Sequence, residues 1–274
     1  MLASLLSFPE AILLGIVEGL TEFLPVSSTG HLLVVGDLIG FGTSTSQSAA
    51  DAYYIAIQMG AILAILFLFR LRVTSVAKGL LGRDDVGRSV LIAIALSFLP
   101  AAVLGVAFGD AIKDSLFGPI PVTIAWALGG VALLVWKPKQ GSLDIHQLTL
   151  KSSLIIGLTQ CVAMWPGVSR SLATLIAGLA VGLTLSAAVE FSFLLGVVTL
   201  SAATAFDLLK HGDEIVSQFG LARPIVGGIV AFVTAVIAVK WMVGYVTNRS
   251  LAIFGWYRVA IAAATAGLLL TGVL

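Results

Sequence analysis

The sequence predicts an all-α polytopic membrane protein with an inverted-topology repeat, six transmembrane helices and two re-entrant helical hairpins. Of its 274 residues, 59% are hydrophobic and 11% are charged, whereas a soluble domain carries about 25% charged residues. Apolar segments long enough to cross a bilayer recur along the chain, and a pattern of two short helices around a break occurs twice. The net charge of +1 offers no basic stripe for nucleic acid, so a nucleic-acid-binding protein is excluded.

The first half begins with two helices that are too short to cross the membrane. The first is predicted to start near Ser7 and to end near Phe23, a length of about 24 Å at 1.5 Å per residue. Pro25 ends this segment, and the second helix is predicted from about Ser28 to Ile39. Because a full span needs about 20 apolar residues, we expect a re-entrant hairpin. Its turn would lie deep in the membrane and line a cavity.

Three long apolar segments follow this hairpin. We predict spans over about 52–69, 89–108 and 119–136, with a polar loop at 41–51 and a basic loop at 70–88. The single cysteine, Cys161, excludes an internal disulfide and a cysteine metal site.

The pattern of the first half restarts in the second half. Gly15-Ile-Val-Glu18 is echoed by Gly157-Leu-Thr-Gln160, and the break after Pro25 is echoed after Pro166. Short helices are predicted over 152–165 and from 169, followed by spans over 186–209, 224–246 and 251–274. Three crossings per half give the halves opposite orientations, which is the inverted-repeat arrangement. We therefore predict one membrane domain, with a first repeat at 1–137 and a second at 151–274.

Lysine and arginine are unevenly distributed between the two predicted sides. One side holds Arg70, Arg72, Lys78, Arg83, Arg88, Lys137, Lys139, Lys151 and Arg249. The other holds Lys113, Lys210 and Arg223. Because cytoplasmic loops are rich in these residues, the first side is predicted to be cytoplasmic. Both termini and the mouth of the first hairpin then face outward.

Two carboxylates interrupt the apolar first helix. Glu18 and Glu22 are four residues apart, so their side chains lie on one helix face. Such a pair repels unless a cation or a shared proton lies between the carboxylates. Ionisable groups inside a membrane segment are costly and indicate function, so we predict catalytic roles for Glu18 and Glu22. We expect either a divalent cation, Mg²⁺ or Ca²⁺, at the pair or a raised pKa of one carboxyl group, and no organic cofactor. The alternative is a polar contact between helices.

The first break carries hydroxyls, a glycine and an imidazole. Ser27, Ser28 and Thr29 supply N-cap chemistry, and Gly30 adds free backbone at a helix N-terminus, where anions bind. His31 lies one turn past the serines, within predicted reach of either hydroxyl, and imidazole suits proton transfer near neutral pH. Either serine could be a nucleophile, with Ser28 the first candidate. The alternative for His31 is a polar side chain that only fills space.

The second break carries a permanent cation. Arg170 stands where a helix should begin, and its planar fork of donors matches phosphate oxygens. Gly167 permits close backbone approach to a ligand. Further donors to a phosphate are expected from Ser169, Ser171 and Thr174.

Other charges within the predicted spans suggest structural pairs. Arg170 could pair with Glu22 or Glu190 instead of a ligand. For Glu190 and Arg258 we expect a structural pair or support of the site.

The two motifs resemble those of the bacterial undecaprenyl-diphosphate phosphatases, also called bacitracin-resistance proteins. The resemblance rests on the stretches 18–31 and 166–171 and extends over essentially the whole chain, including Gln58-Met-Gly-Ala and the stretch from Glu190; Leu172 departs from the glycine common in that family. It implies a polytopic plasma-membrane enzyme that removes the terminal phosphate from a C55 polyprenyl diphosphate and thereby regenerates the carrier lipid for cell-wall synthesis. The family's catalytic positions fall on Glu18, Glu22, Ser28, His31 and Arg170.

We therefore predict a membrane phosphatase acting on a lipid diphosphate, with the lipid substrate, the bilayer and a second copy in a homodimer as partners. Covalent catalysis by a serine and direct attack by water both remain open. The main alternative is a secondary transporter or lipid flippase, because inverted repeats with broken helices are transporter architecture. A non-catalytic scaffold is disfavoured by the buried ionisable groups.

Overall fold

The computed structural model describes residues 6–41, 47–136, 141–246 and 250–274. Over these ranges the chain is helical, and its extended pairing is limited to an isolated bridge between Leu143 and Leu183. Lys137, Lys139 and Arg249, which contribute to the predicted orientation, lie outside the described residues. The all-α prediction is confirmed.

Two short helices open the first half, as predicted. A capping box begins α1, in which the Ser7 hydroxyl accepts from the Glu10 N–H and the Glu10 carboxylate accepts from the Ser7 N–H. The helices of this half are α1 (Phe8–Thr21), α2 (Ser28–Leu38), α3 (Gln47–Leu68), α4 (Arg70–Leu80), α5 (Asp85–Leu116) and α6 (Pro119–Val135).

The second half repeats the short pair. After a 3₁₀ turn at Ile145–Gln147, Thr149 caps the next helix by accepting from the Ser152 N–H. The helices are α7 (Leu150–Gln160), a 3₁₀ turn (Cys161–Met164), α8 (Arg170–Ala180), α9 (Leu185–Phe219), α10 (Ala222–Val246) and α11 (Ala252–Leu270).

Five of the described helices are long and apolar enough to cross a membrane. They are α3, α5, α9, α10 and α11, and the protein is a multi-pass membrane protein. α6 has 17 residues and belongs to the shorter apolar helices. It follows Gly118, has Pro119 as its first residue, and ends before Trp136, where the backbone becomes extended.

The basic segment at 70–88 is not the loop that the sequence predicts. Arg70–Leu80 forms α4, and Asp84 caps α5 by accepting from the Gly87 N–H at 2.8 Å. That hydrogen bond, together with one from the Ser75 hydroxyl, lowers the pKa of Asp84. The loop was predicted because the apolar pattern ends at this segment. Arginine and lysine are nevertheless good helix formers, so the segment is polar and still helical.

Glycines allow the helices to approach closely around the site. In α1, a Cβ on Gly15 would lie 2.5 Å from the carbonyl oxygen of Gly227 in α10. In α7, a Cβ on Gly157 would lie 2.5 Å from the carbonyl oxygen of Ser97 in α5. Each short pair is thus seated against a long helix, α1 on α10 and α7 on α5.

The two short pairs follow the same residue spacing. Ser7 caps α1 and Thr149 caps α7, while Ser27 caps α2 and Ser169 caps α8. The separation in sequence is the same within each of these two pairs of caps. It also equals the distance between Gly40 and Gly182, which end the pairs at positive φ. α2 and α8 each have 11 residues. On this spacing Ser28 and Arg170 are equivalent positions, each the first residue of its helix.

Candidate active site

An open cavity lies between the two breaks. It is bounded by both short pairs and by the long helices α3, α5 and α9. Of the residues predicted to carry chemistry, its lining includes Glu22, Ser27, Ser28, Thr29, Ser169 and Arg170.

Glu22 joins the two halves of the chain inside this cavity. Its Oε1 atom accepts a hydrogen bond from Nη2 of Arg170 at 3.0 Å, and its Oε2 atom accepts one from the hydroxyl of Ser28. All three residues stand at helix ends, since Glu22 closes α1 while Ser28 and Arg170 open α2 and α8. The predicted pairing of Arg170 with Glu22 is therefore present, and it lies within the cavity.

The cap serines of both breaks have the same unusual backbone. Ser27 has φ 71° and Ser169 has φ 76°, a region that residues other than glycine rarely adopt. The Ser27 hydroxyl accepts from the N–H of Gly30 at 3.5 Å and from the N–H of Gly167 at 3.1 Å. Its lone pairs are thus occupied by backbone donors, whereas the Ser28 hydroxyl faces a carboxylate.

Arg170 is held by more than its carboxylate partner. Nη1 donates to the carbonyl oxygen of Ser192 at 3.1 Å, and the guanidinium lies 5.4 Å from the ring centroid of Phe23. A Cβ on Gly196 would lie 2.0 Å from Nη1, so this glycine in α9 makes room for the arginine. Nε is buried and has no hydrogen-bond partner in the described structure.

Glu18 lies one turn behind Glu22 and is 1% exposed. Glu18 does not line the cavity, and its Oε1 atom has no hydrogen-bond partner among the described residues.

The residues present do not fit a tightly held divalent cation. Ca²⁺ takes six to eight oxygen ligands, and Mg²⁺ is held in proteins by one or two carboxylates with waters and phosphates. Both oxygens of Glu22 already accept hydrogen bonds, one of them from a permanent cation. In the described part of the chain, no group of three or more His, Cys, Asp or Glu residues could hold a metal.

His31 is placed behind the first break and does not line the cavity. Its Nδ1 lies 2.7 Å from the carbonyl oxygen of Ser27, and its Nε2 lies 2.7 Å from the hydroxyl of Tyr257. Since a carbonyl only accepts, Nδ1 carries the proton and Nε2 accepts from the tyrosine. His31 therefore contacts the Ser27 carbonyl and the Tyr257 hydroxyl instead of the expected serine hydroxyl. Its ring points towards α6 and α11, where Trp126 packs against it.

Four residues predicted to bind a ligand lie outside the cavity lining and stabilise the breaks. Gly30 is in contact with Trp126, and Gly167, at φ 94°, packs against α6. The hydroxyl of Ser171 donates to the carbonyl oxygen of Leu24 at 2.8 Å, and that of Thr174 lies 2.6 Å from the hydroxyl of Ser192. Short hydroxyl side chains inside a helix satisfy nearby backbone groups readily, which removes them from the cavity.

Several cavity residues were not singled out as functional in the sequence. They are Gln58, Gln160, Met164 and Thr199. The internal repeat carried a signal for two of them, because the shared residue spacing makes Gln160 equivalent to Glu18 and Met164 equivalent to Glu22. The first half thus supplies carboxylates where the second supplies neutral side chains.

Glu190 and Arg258 do not pair with each other. Glu190 accepts from Nε of Arg72 at 2.7 Å, outside the cavity. Arg258 is fully buried and donates to three main-chain carbonyls.

This arrangement suits transfer of a phosphoryl group. A hydroxyl donates to a carboxylate that can take its proton, and a guanidinium lies on the other side of the same carboxylate. Two helix N-termini open into the cavity at Ser28 and Arg170, and such ends favour phosphate oxygens.

Comparisons with known proteins agree with this chemistry. The family model described as "Bacitracin resistance protein BacA" matches residues 11–264. A protein named undecaprenyl-diphosphatase from Sorangium cellulosum is 42% identical over 93% of this chain and 84% of its own length. Proteins of the same name from Ectopseudomonas mendocina and Nitrosomonas eutropha are each 44% identical, over 92% and 91% of this chain and 90% of their own lengths.

Proposed function

The chain belongs to the bacitracin resistance protein BacA family, and from this premise we propose that it hydrolyses undecaprenyl diphosphate to undecaprenyl phosphate and inorganic phosphate. The reaction returns the carrier lipid to cell-wall synthesis. The observation that carries the proposal is the buried hydrogen bond from Ser28 to Glu22 beside Arg170, in a cavity between two helix N-termini.

Ser28 is the proposed nucleophile. Its Oγ attacks the terminal phosphorus, its proton passes to Glu22, and the bond from that phosphorus to the bridging oxygen breaks, releasing undecaprenyl phosphate. Water then attacks the phosphoserine, and the bond from phosphorus to Oγ breaks. Oγ takes back the proton held by Glu22, and the displaced proton of the water leaves with inorganic phosphate. Direct attack by water held by Glu22 is the competing route, and it would leave Ser28 as a ligand of the phosphate.

Arg170 and the first-turn N–H groups of α2 and α8 are proposed to hold the diphosphate. The first N–H groups of a helix have no intrahelical acceptor, so the N–H groups around Thr29 in α2 and Arg170 in α8 can donate to phosphate oxygens. The partial positive charge of these N–H groups and the full charge of the guanidinium stabilise the negative charge that spreads over the phosphoryl oxygens during transfer. Glu18 keeps Glu22 in place from behind.

A divalent cation, Mg²⁺ or Ca²⁺, would enter this site on the diphosphate. Since the oxygens of Glu22 are engaged, the ligands of the ion would come mainly from the substrate. Oε1 of Glu18 is an acceptor without a partner in the described structure, but it is buried behind Glu22. No step assigned above to a protein residue depends on the ion.

We also propose six spans with two re-entrant hairpins. α6, with 17 apolar residues, serves as the sixth span, while α1 with 14 residues and α2, α7 and α8 with 11 each are too short to cross. The equal spacing of caps in the two short pairs and their matched seating on α10 and α5 support repeats at 1–137 and 151–274.

The proposed orientation puts α4 on the cytoplasmic side of the bacterial plasma membrane. Arg70, Arg72, Lys78 and Arg83 then face the cytoplasm, and the cavity opens between the halves from the outer side. The homodimer stays a prediction. The transporter or flippase alternative has no support from the relatives, whose shared name is that of a diphosphatase.

Phosphate release from C55 diphosphate by the purified protein in detergent tests the function. We expect turnover by the wild type and a loss of more than about 100-fold in Arg170→Lys, because a fork that donates two hydrogen bonds is worth about 3 kcal/mol to the transition state. Arg72→Lys is the matched control, since Arg72 pairs with Glu190 outside the cavity. No phosphate release by folded wild type would overturn the proposal.

A further inference from the structure

Arg258 is a buried cation whose acceptors in the described structure are all main-chain carbonyls. It is 0% exposed and donates from Nη1 to Pro25 O at 3.3 Å, and from Nη2 to Ala125 O at 2.9 Å and Gly167 O at 2.8 Å. Burying a charge is costly unless hydrogen bonds compensate for it. A buried arginine without a carboxylate partner therefore calls for an explanation beyond packing.

The three acceptors come from the three elements that form the back of the site. Pro25 lies in the first break, Gly167 lies in the second, and Ala125 lies in α6 between them. One guanidinium thus ties together breaks that are more than a hundred residues apart in the chain. Each break delivers one partner of Glu22, namely Ser28 from the first and Arg170 from the second.

We infer that Arg258 is a positioning residue of the hydrolytic site, holding the two breaks at the separation at which Ser28 and Arg170 both reach Glu22. It does not line the cavity, so it acts through the backbone and not by contact with substrate. The inference rests on the proposed function. It assigns to α11 a part in catalysis that neither sequence motif contains.

A neighbouring contact supports the same conclusion. The peptide of Gly167 is held from both sides, with its N–H donating to the Ser27 hydroxyl at 3.1 Å and its carbonyl accepting from Arg258. α6 also leaves space for the guanidinium, because a Cβ on Gly129 would lie 2.2 Å from Nη2. The substitution Gly129→Ala would therefore displace the guanidinium without removing any charge or hydrogen-bonding group.

The test measures kcat, KM and the melting temperature of purified variants with C55 diphosphate. Arg258→Lys keeps the charge but cannot reach three carbonyls from one plane, and Gly129→Ala moves the guanidinium. We expect kcat to fall at least about tenfold in both, since misplacement by about 1 Å can cost on the order of 100-fold. KM should change less than kcat and stay within about threefold, because every group that binds the diphosphate is still present and the chemical step is more sensitive than binding to a small shift of the two breaks.

Gly130→Ala is the matched control. The three atoms nearest to its Cβ would belong to Gly255 and Val259 of α11, at 2.9–3.0 Å, whereas for Gly129 they belong to Arg258. Equal losses of kcat in Gly129→Ala and Gly130→Ala would assign the effect to helix packing and overturn the inference. A folded Arg258→Lys protein with the kcat of the wild type, or one that loses only melting temperature, would also overturn it. Failure of the wild type to release phosphate would instead overturn the proposed function.

Discussion

At the scale of single residues, the site depends on one carboxylate with two partners. Glu22 accepts from Ser28 with one oxygen and from Arg170 with the other. Both the serine hydroxyl and the guanidinium thus donate to the same carboxylate. In the proposed mechanism, the base that takes the proton of Ser28 lies directly beside the cation that stabilises the phosphoryl oxygens.

Ser28→Ala should abolish turnover, whereas Ser27→Ala should mainly cost stability. Ser28 faces the carboxylate, but the Ser27 hydroxyl caps α2 and binds Gly167, and losing a cap costs about 1 kcal/mol. Phosphate release and thermal unfolding of both variants check this. A folded Ser28→Ala protein that hydrolyses within about tenfold of the wild type would exclude covalent catalysis by Ser28 and favour water as the nucleophile.

His31→Asn should retain far more activity than His31→Ala. The asparagine amide can replace the Nδ1 donor to Ser27 O, and alanine cannot. Turnover of both variants, with Tyr257→Phe to remove the partner of Nε2, is the measurement. If asparagine is as inactive as alanine and Tyr257→Phe is nearly inactive too, Nε2 takes part in proton transfer and the hydrogen bond to Ser27 O is not the main contribution of His31.

The sequence motifs identified several of the residues around the cavity but not the contacts that each of them makes. Glu22, Ser28 and Arg170 could be named because charges and hydroxyls are rare in apolar segments. The contact of His31 with Tyr257 joins residues 226 positions apart, and no local pattern carries that information. For the same reason Arg258 could be recognised as a buried charge, but its three carbonyl partners could not.

At the scale of helices, close packing through glycine determines where the short pairs lie. α3 crosses α10 so closely that a Cβ on Gly60 would lie 1.9 Å from the carbonyl oxygen of Gly228. Small residues at such crossings are the usual means by which membrane helices approach each other. The long helices then form a rigid frame for the two breaks.

Gly60→Ala should destabilise the protein, by about 1–3 kcal/mol for an overpacked contact. Gly228→Ala is the control, because its own Cβ would meet nothing within 4 Å although it lies in the same crossing. Thermal unfolding in detergent compares the two. Equal melting temperatures would mean that α3 and α10 are less closely packed than described.

Helix positions were predictable where a long apolar run or a capping residue marked the helix. The starts of α2 and α6 were placed correctly because serine and proline mark them. α4 was missed because hydropathy alone cannot separate a polar helix from a polar loop. α5 and α9 extend beyond their predicted ends for a related reason, since their polar last turns look like loop residues.

At the scale of the whole molecule, the cavity lies between two halves of opposite proposed orientation. The first half supplies the carboxylates and the hydroxyl, and the second supplies the guanidinium. The sequence suggested the repeat from the alignment of Pro25 with Pro166, but this alignment is shifted by one residue relative to the N-cap residues. The structure aligns Ser27 with Ser169, because each hydroxyl accepts from the N–H three residues later.

Reporter fusions after Arg83 and after Gly220 should fall on opposite sides of the membrane. Arg83 precedes α5 and Gly220 ends α9, so the proposed arrangement puts the first in the cytoplasm and the second outside. Paired reporters active on either side give the measurement. Both fusions reporting the same side would exclude the arrangement of six spans and two hairpins.

The ion pair between the halves also constrains the order of events during biosynthesis. Glu22 leaves the ribosome 148 residues before Arg170, so a nascent chain carries the carboxylate long before its cation exists. An unpaired charge is expensive in hydrocarbon. The first hairpin is therefore expected to wait near the lipid headgroups until the second has been made. The hairpin translated first is then the later one to reach its final depth.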